Sequence, residues 1–248
     1  MANTDKNADA VPTTYPGGKG GAGVYQTIIN LIPPHEIYIE THLGGGSIIR
    51  HKRPARINIG IDIDPAVIDK WSDNSGRKIV HGDALEYLKN FNFSGSEFIY
   101  CDPPYMMETR SGRKLYNFEY TVEQHIELLD LLKTISCNIM ISGYWSELYA
   151  EKLASWDTHI FEAMTRGGTK ATEWLWMNYE VPEKLHDYSF LGDTFRERER
   201  IKRKISRWVN RLKKLPVLER NAILTAINSE EDLLAGFGES ADSQKITI

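Results

Sequence analysis

Apolar positions in this chain fall into two kinds of run. Short stretches rich in β-branched and aromatic residues predict strands at 37–41, 57–62, 78–81, 98–101 and 138–142, then a pair near 159–163 and 174–179. Between them apolar residues recur at helical spacing, predicting helices over about 22–32, 65–72, 84–90, 122–134 and 145–154. Asp64-Pro65 supplies a cap residue followed by proline at a first helical position, and Thr121-x-x-Gln124 is a capping box. Strands alternating with helices imply an α/β fold: a mostly parallel sheet covered on both faces. Such sheets bind ligands beyond the carboxyl ends of their strands. Residues 1–13 and 239–248 are polar and are expected to be disordered. The sheet domain is expected over 14–182, with a basic helical extension over 183–238.

Composition adds bounds. A 248-residue chain that is 41% hydrophobic fills one α/β domain with a small appendage. No apolar run approaches the ~18–20 residues that span a bilayer, and the start, MANTDKNADAVPTT, lacks the apolar core of a signal peptide. A cytoplasmic protein without a membrane partner is therefore expected. Cys101 and Cys137 sit in apolar segments and read as buried thiols, and the histidines show no ligand spacing, so no metal is expected. The net charge of −4 is uneven: residues 196–220 carry +8 and the remainder −12. A basic segment on an acidic body suits a polyanion bound at one place.

The most specific motif is Asp102-Pro103-Pro104-Tyr105, directly after the strand at 98–101. Read structurally, Pro-Pro ends a strand and Asp begins a turn. Read chemically, the motif suits an adenine amine, whose lone pair is delocalised into its ring. A carboxylate and a proline-held carbonyl accepting its two hydrogens draw that lone pair toward tetrahedral geometry, while an aromatic ring stacks on the base. A second motif, Glu40-Thr41-His42-Leu43-Gly44-Gly45-Gly46-Ser47, puts three glycines between a strand and a helix, where backbone can approach a ligand. The next strand ends in Ile61-Asp62-Ile63-Asp64, where a carboxylate can take ribose hydroxyls. Asp83 has two readings, an adenine contact or the cap of Asp83-x-x-Glu86. Tyr15-Pro16-Gly17-Gly18-Lys19 lacks the spacing of a phosphate-binding P-loop; its lysine and aromatic ring suit the closing of a cofactor site.

Taken in order, Tyr-Pro-Gly-Gly-Lys, Glu-x-x-x-Gly-x-Gly-Ser, the acidic strand end and Asp-Pro-Pro-Tyr resemble the DNA adenine methylase family. Arg166-Gly167-Gly168-Thr169-Lys170 resembles the hairpin that closes the family's sheet, so the similarity spans roughly 14–180. The resemblance implies a Rossmann-like methyltransferase sheet of about seven strands and S-adenosylmethionine as cofactor. By motif match, Tyr15, Lys19, Glu40, His42, Gly44, Gly46, Asp62 and Asp83 would form the cofactor site, and Asp102, Pro103, Pro104 and Tyr105 the catalytic one. Two departures stand out. Thr41-His42 replaces the family's usual Pro-Phe. Only Ala84 to Cys101 lies between Asp83 and Asp102, where relatives commonly insert a target-recognition domain.

DNA contacts must then lie elsewhere. One expected segment is the loop at 106–120, where Arg110, Arg113 and Lys114 precede Tyr116, Phe118 and Tyr120. The other is a helix at about 194–215. There Ile201, Ile205, Trp208, Val209, Leu212 and Leu215 form an apolar face expected to dock on the protein, beside a stripe of Arg200, Lys204, Arg207, Arg211 and Lys214. The expectation is methyl transfer to adenine in DNA. An RNA adenine methyltransferase, or an idle nucleic-acid-binding protein of the same fold, are the alternatives.

Overall fold

The computed structural model describes residues 17–71, 76–110, 116–164 and 168–241. Its strands are β1 (Ile37–Thr41), β2 (Ile57–Asp62), β3 (Lys78–His81), β4 (Glu97–Cys101), β5 (Asn138–Gly143), β6 (Asp157–Met164) and β7 (Lys170–Met177). They form one sheet in the order β3-β2-β1-β4-β5-β7-β6, in which every pairing is parallel except those of β7. This is the Rossmann-like methyltransferase sheet that the motif order implied.

Helices α1 (Val24–Ile29), α2 (Ser47–His51) and α3 (Pro65–Ile68) cover one face; α4 (Ala84–Lys89), α5 (Val122–Leu132) and α6 (Glu147–Lys152) cover the other. Strand alternation builds both cores. Tyr38, Phe98, Tyr100 and Met140 face the first set, while Ile39, Ile99, Cys101, Ile139 and Ile141 face the second. The chain runs outward through β1, β2 and β3, then returns to lay β4 beside β1. That reversal opens a crevice beyond the carboxyl ends of β1 and β4, the place such sheets use for ligands.

Residues 183–193 belong with the sheet unit, which ends at Asp193 rather than 182. His186 donates its backbone N–H to the carbonyl of Ile32, and Asn30 donates to that of Phe190. The second unit holds α7 (Phe195–Lys213) and α8 (Val217–Ala241). Thr194 caps α7 by accepting from the Glu197 N–H, and Pro216 separates the two helices. Of the apolar residues spaced along this helix, Ile201 and Leu212 are half-buried and Ile205, Trp208 and Val209 are exposed. α8 reaches Ala241, into the tail expected to be disordered; residues 1–13 and 242–248 lie outside the described residues. Among the described residues no helix is long and apolar enough to cross a membrane.

Candidate active site

Asp102 follows β4 directly, and one oxygen of its carboxylate is fixed twice. Lys19 Nζ reaches Oδ1 at 2.6 Å, and Ser142 Oγ, at the end of neighbouring β5, donates to the same atom at 2.7 Å. Oδ2 accepts no hydrogen bond among the described residues. The Lys19 side chain is only 5% exposed. Burial works against its charge, yet Asp102 and Glu173 outweigh burial and hold the ammonium above its ordinary range. The same ammonium lies 4.8 Å from the centre of the Tyr105 ring. Tyr105 is buried, with its hydroxyl donating to Glu173 Oε2 at 2.6 Å and Tyr144 edge-on at 4.7 Å.

Two cavities meet at Asp102. The larger, about 520 Å³, is lined by Asp62, Asp64, Asp83 and Pro104 and walled by Tyr116, Phe118 and Tyr120. The smaller, about 350 Å³, is lined by Gly17, Gly18, Lys19, Glu40, the turn from Leu43 to Ser47, and Tyr100. His42, Asp102 and Tyr116 border both. Pro103 is buried and borders neither cavity.

The glycine turn works as its composition suggests. Gly44 and Gly46 take φ of 47° and 58°, in the left-handed region. Asp62 Oδ2 accepts the Gly44 N–H at 2.8 Å and its Oδ1 accepts that of Asp64 at 2.9 Å. Asp62 therefore fixes the turn as well as bordering the larger cavity. Glu40 accepts from the Tyr38 hydroxyl and the Ile49 N–H, both on Oε2. Burial pushes its carboxyl up to about 7, against those two bonds. Asp83 caps α4 by accepting from the Glu86 N–H, and it also borders the larger cavity.

His42 is itself left-handed, at φ 58°. Its Nδ1 pairs with Thr41 Oγ1 at 3.0 Å and its Nε2 with the Tyr120 hydroxyl at 2.9 Å, which makes the Thr41-His42 pair a unit. Burial pushes the imidazole down to about 3, so it is neutral.

Arg110 does not face outward. Its side chain is 8% exposed and paired with Glu119 at 2.6 Å, and Glu119 also accepts the Tyr116 N–H. Its charge closes the aromatic loop over the larger cavity and is not offered to phosphate. Tyr15, Arg113 and Lys114 lie outside the described residues. Arg200, Lys204, Arg207, Arg211 and Lys214 are exposed on α7. Sequence reasoning missed Ser142, Tyr144 and Glu173. Glu173 left one signal, a carboxylate directly before the apolar run Trp174-Leu175-Trp176-Met177.

No family model matches the chain, and neither does any curated protein. Among solved structures, similar chains include a SAM-dependent methyltransferase from Archaeoglobus fulgidus, with 13% identity and a TM-score of 0.44 over 61% of this chain and 90% of that one. The 23S rRNA methyltransferase ErmE gives 14% and 0.41 over 66% and 68%. Spermidine synthase from Thermotoga maritima gives 13% and 0.43 over 68% of each.

Proposed function

We propose that this chain transfers a methyl group from S-adenosylmethionine to the exocyclic amine of adenine in DNA. The observation that carries the reading is Asp102, fixed through Oδ1 by Lys19 and Ser142 where the two cavities meet, with Pro-Pro-Tyr following it.

The residues present fit the cofactor. The Gly44–Gly46 turn leaves no room for a side chain at Gly46, where a Cβ would overlap the Trp71 ring. Glu40 keeps Oε1 without a hydrogen bond among the described residues and borders the smaller cavity, suiting an ammonium group. Asp83 uses only Oδ1 as a cap and suits an adenine edge. When bound, the cofactor supplies an electrophilic methyl on a sulfonium. Asp102 Oδ2 takes one hydrogen of the substrate amine and a proline-held carbonyl the other, so the lone pair leaves the ring's plane. Tyr105 borders neither cavity, and its motif position assigns its ring to the extruded base. Tyr116, Phe118 and Tyr120 wall the larger cavity beside Asp102.

DNA as the substrate is supported by the exposed basic stripe of α7. The test is modification-sensitive sequencing of DNA from a host expressing the chain, beside one expressing Asp102→Asn, with labelled-methyl transfer to DNA and RNA in parallel. Methyl on adenine amines at a recurring DNA site, absent with the variant, is the expected result. Label entering RNA alone would move the substrate to RNA; label entering neither would sink the reading.

A further inference from the structure

Glu173 is an expensive residue for its place. It sits on β7, 8% exposed, just ahead of Trp174, Leu175 and Trp176, where an apolar side chain would be cheaper to bury. Its partners all belong to the reaction site. The Tyr105 hydroxyl donates to it at 2.6 Å, and Lys19, which it helps hold charged, lies over the ring of the same tyrosine. Tyr105 is thus pinned at its hydroxyl by Glu173, over its ring by Lys19 and at its edge by Tyr144.

We propose that Glu173 is a positioning residue for methyl transfer, acting through Tyr105 and Lys19. The inference rests on the adenine reading above. It has two physical parts. A ring that must stack on a base can swing and turn about its own bonds. The hydroxyl bond fixes where it lies, and Lys19 over its face and Tyr144 at its edge hold its plane before substrate arrives. Lys19 pairs with Asp102 and also attracts Glu173. Burial raises the Glu173 carboxyl while Lys19 and the Tyr105 hydroxyl favour its charge, and with Glu173 ionised the cluster of Asp102, Glu173 and Lys19 is net negative. The adenine amine takes the methyl with its lone pair as the carbon–sulfur bond breaks, becomes cationic, and then sheds one proton to solvent. A net negative cluster favours that cation; without Glu173 the pair of Lys19 and Asp102 is neutral.

The experiment measures kcat, KM for DNA and S-adenosylmethionine affinity for Glu173→Gln, Tyr105→Phe and the double variant, with 2-aminopurine fluorescence at the target base. Glu173→Gln keeps the volume and one acceptor, so it is expected to fold. Its kcat should fall about tenfold or more, with KM and cofactor affinity within about twofold. Tyr105→Phe should share much of that loss, and the double variant should lose less than the product of the two singles. Aminopurine emission should fall in both, reporting a looser base platform. Should Glu173→Gln not fold, Tyr105→Phe carries the test alone, since it removes the same bond with Glu173 in place. Wild-type kcat in either folded variant, or losses that multiply, would overturn the proposal while leaving the adenine reading intact. A wild-type chain that methylates no adenine overturns that reading, and the proposal with it.

Discussion

Asp102 divides its work between its oxygens, Oδ1 held by protein and Oδ2 left for substrate. Asp102→Ala should therefore lose methyl transfer by about 100-fold or more, as when one preorganised polar group is removed from a reacting centre. Cofactor affinity on the same preparation should persist; near-normal turnover would sink the assigned role. Glu40 makes a pH-dependent prediction. Its folded carboxyl titrates at about 7, raised by burial from an ordinary 4.5, so folding takes up a proton between those values. Stability from this group is present below 4.5 and lost as pH rises toward 7, by an amount on the order of 3 kcal/mol. Denaturation of Glu40→Gln beside the wild type should show the variant gaining relative stability across that window. Lys52, which burial lowers and Glu40 raises, moves the difference the same way when Glu40 is gone. His35 and His42, both pushed down to about 3 mainly by burial, act in both proteins and cancel. A flat difference would show that Glu40 ionises as an ordinary carboxylate. At this scale the motif residues were legible because chemistry restricts their type. Ser142 and Glu173 were not, because what places them beside Asp102 and Tyr105 is the pairing of β4, β5 and β7 across distant sequence.

Among the elements, the first five strands followed from apolar runs almost residue for residue, since a parallel strand buried on both faces reads as one. The pair expected near 159–163 and 174–179 is antiparallel and instead runs Asp157–Met164 and Lys170–Met177. Helix ends did not follow in this way. The helix expected over 22–32 stops at Ile29, the one over 65–72 at Ile68 and the one over 122–134 at Leu132. In each case the chain goes on in tightened turns, with Leu31 and Ile32 bonding to Ile28 and Ile29, Lys70 and Trp71 to Val67 and Ile68, and Thr134 and Ile135 to Leu131 and Leu132. Apolar spacing persists through such turns, so periodicity cannot mark the boundary. α2 has five residues, too few for any period to show. The turn before it makes its own prediction. Gly46 is left-handed, and a Cβ there would overlap Trp71, whose indole N–H donates to the Gly44 carbonyl at 3.2 Å. Gly46→Ala should cost about 1–3 kcal/mol of stability and weaken S-adenosylmethionine binding, read by denaturation and calorimetry. Wild-type values for both would mean that the turn tolerates a side chain and is not shaped for close approach.

At the scale of the whole molecule, charge is uneven along the chain: residues 196–220 hold +8 and the rest −12. The sequence made this unevenness plain; for the apolar face of α7, helical spacing shows that a stripe exists and does not say what covers it. With Arg110 committed to Glu119, the largest described set of exposed cations expected at DNA is the α7 stripe. Its members, Arg200, Lys204, Arg207, Arg211 and Lys214, are spaced alternately four and three apart and span roughly 21 Å at the helical rise, enough to follow several phosphates. Each phosphate contact releases condensed counterions, so affinity falls with salt at a slope set by the number of contacts. Reversing Arg207 and Arg211 to Glu removes two cations and adds two anions. The slope of log affinity against log salt should flatten by about 2, and affinity at low salt should fall at least tenfold by the same electrostatics. Melting temperature and S-adenosylmethionine affinity should hold, since both side chains are exposed and the nearest contact either makes is that of Arg211 with the exposed Trp208 ring, at 5.2 Å. Fluorescence anisotropy with labelled duplex DNA over a series of salt concentrations reads affinity and slope together. An unchanged slope would leave α7 a structural helix and move the DNA contact to the segment around Arg113 and Lys114.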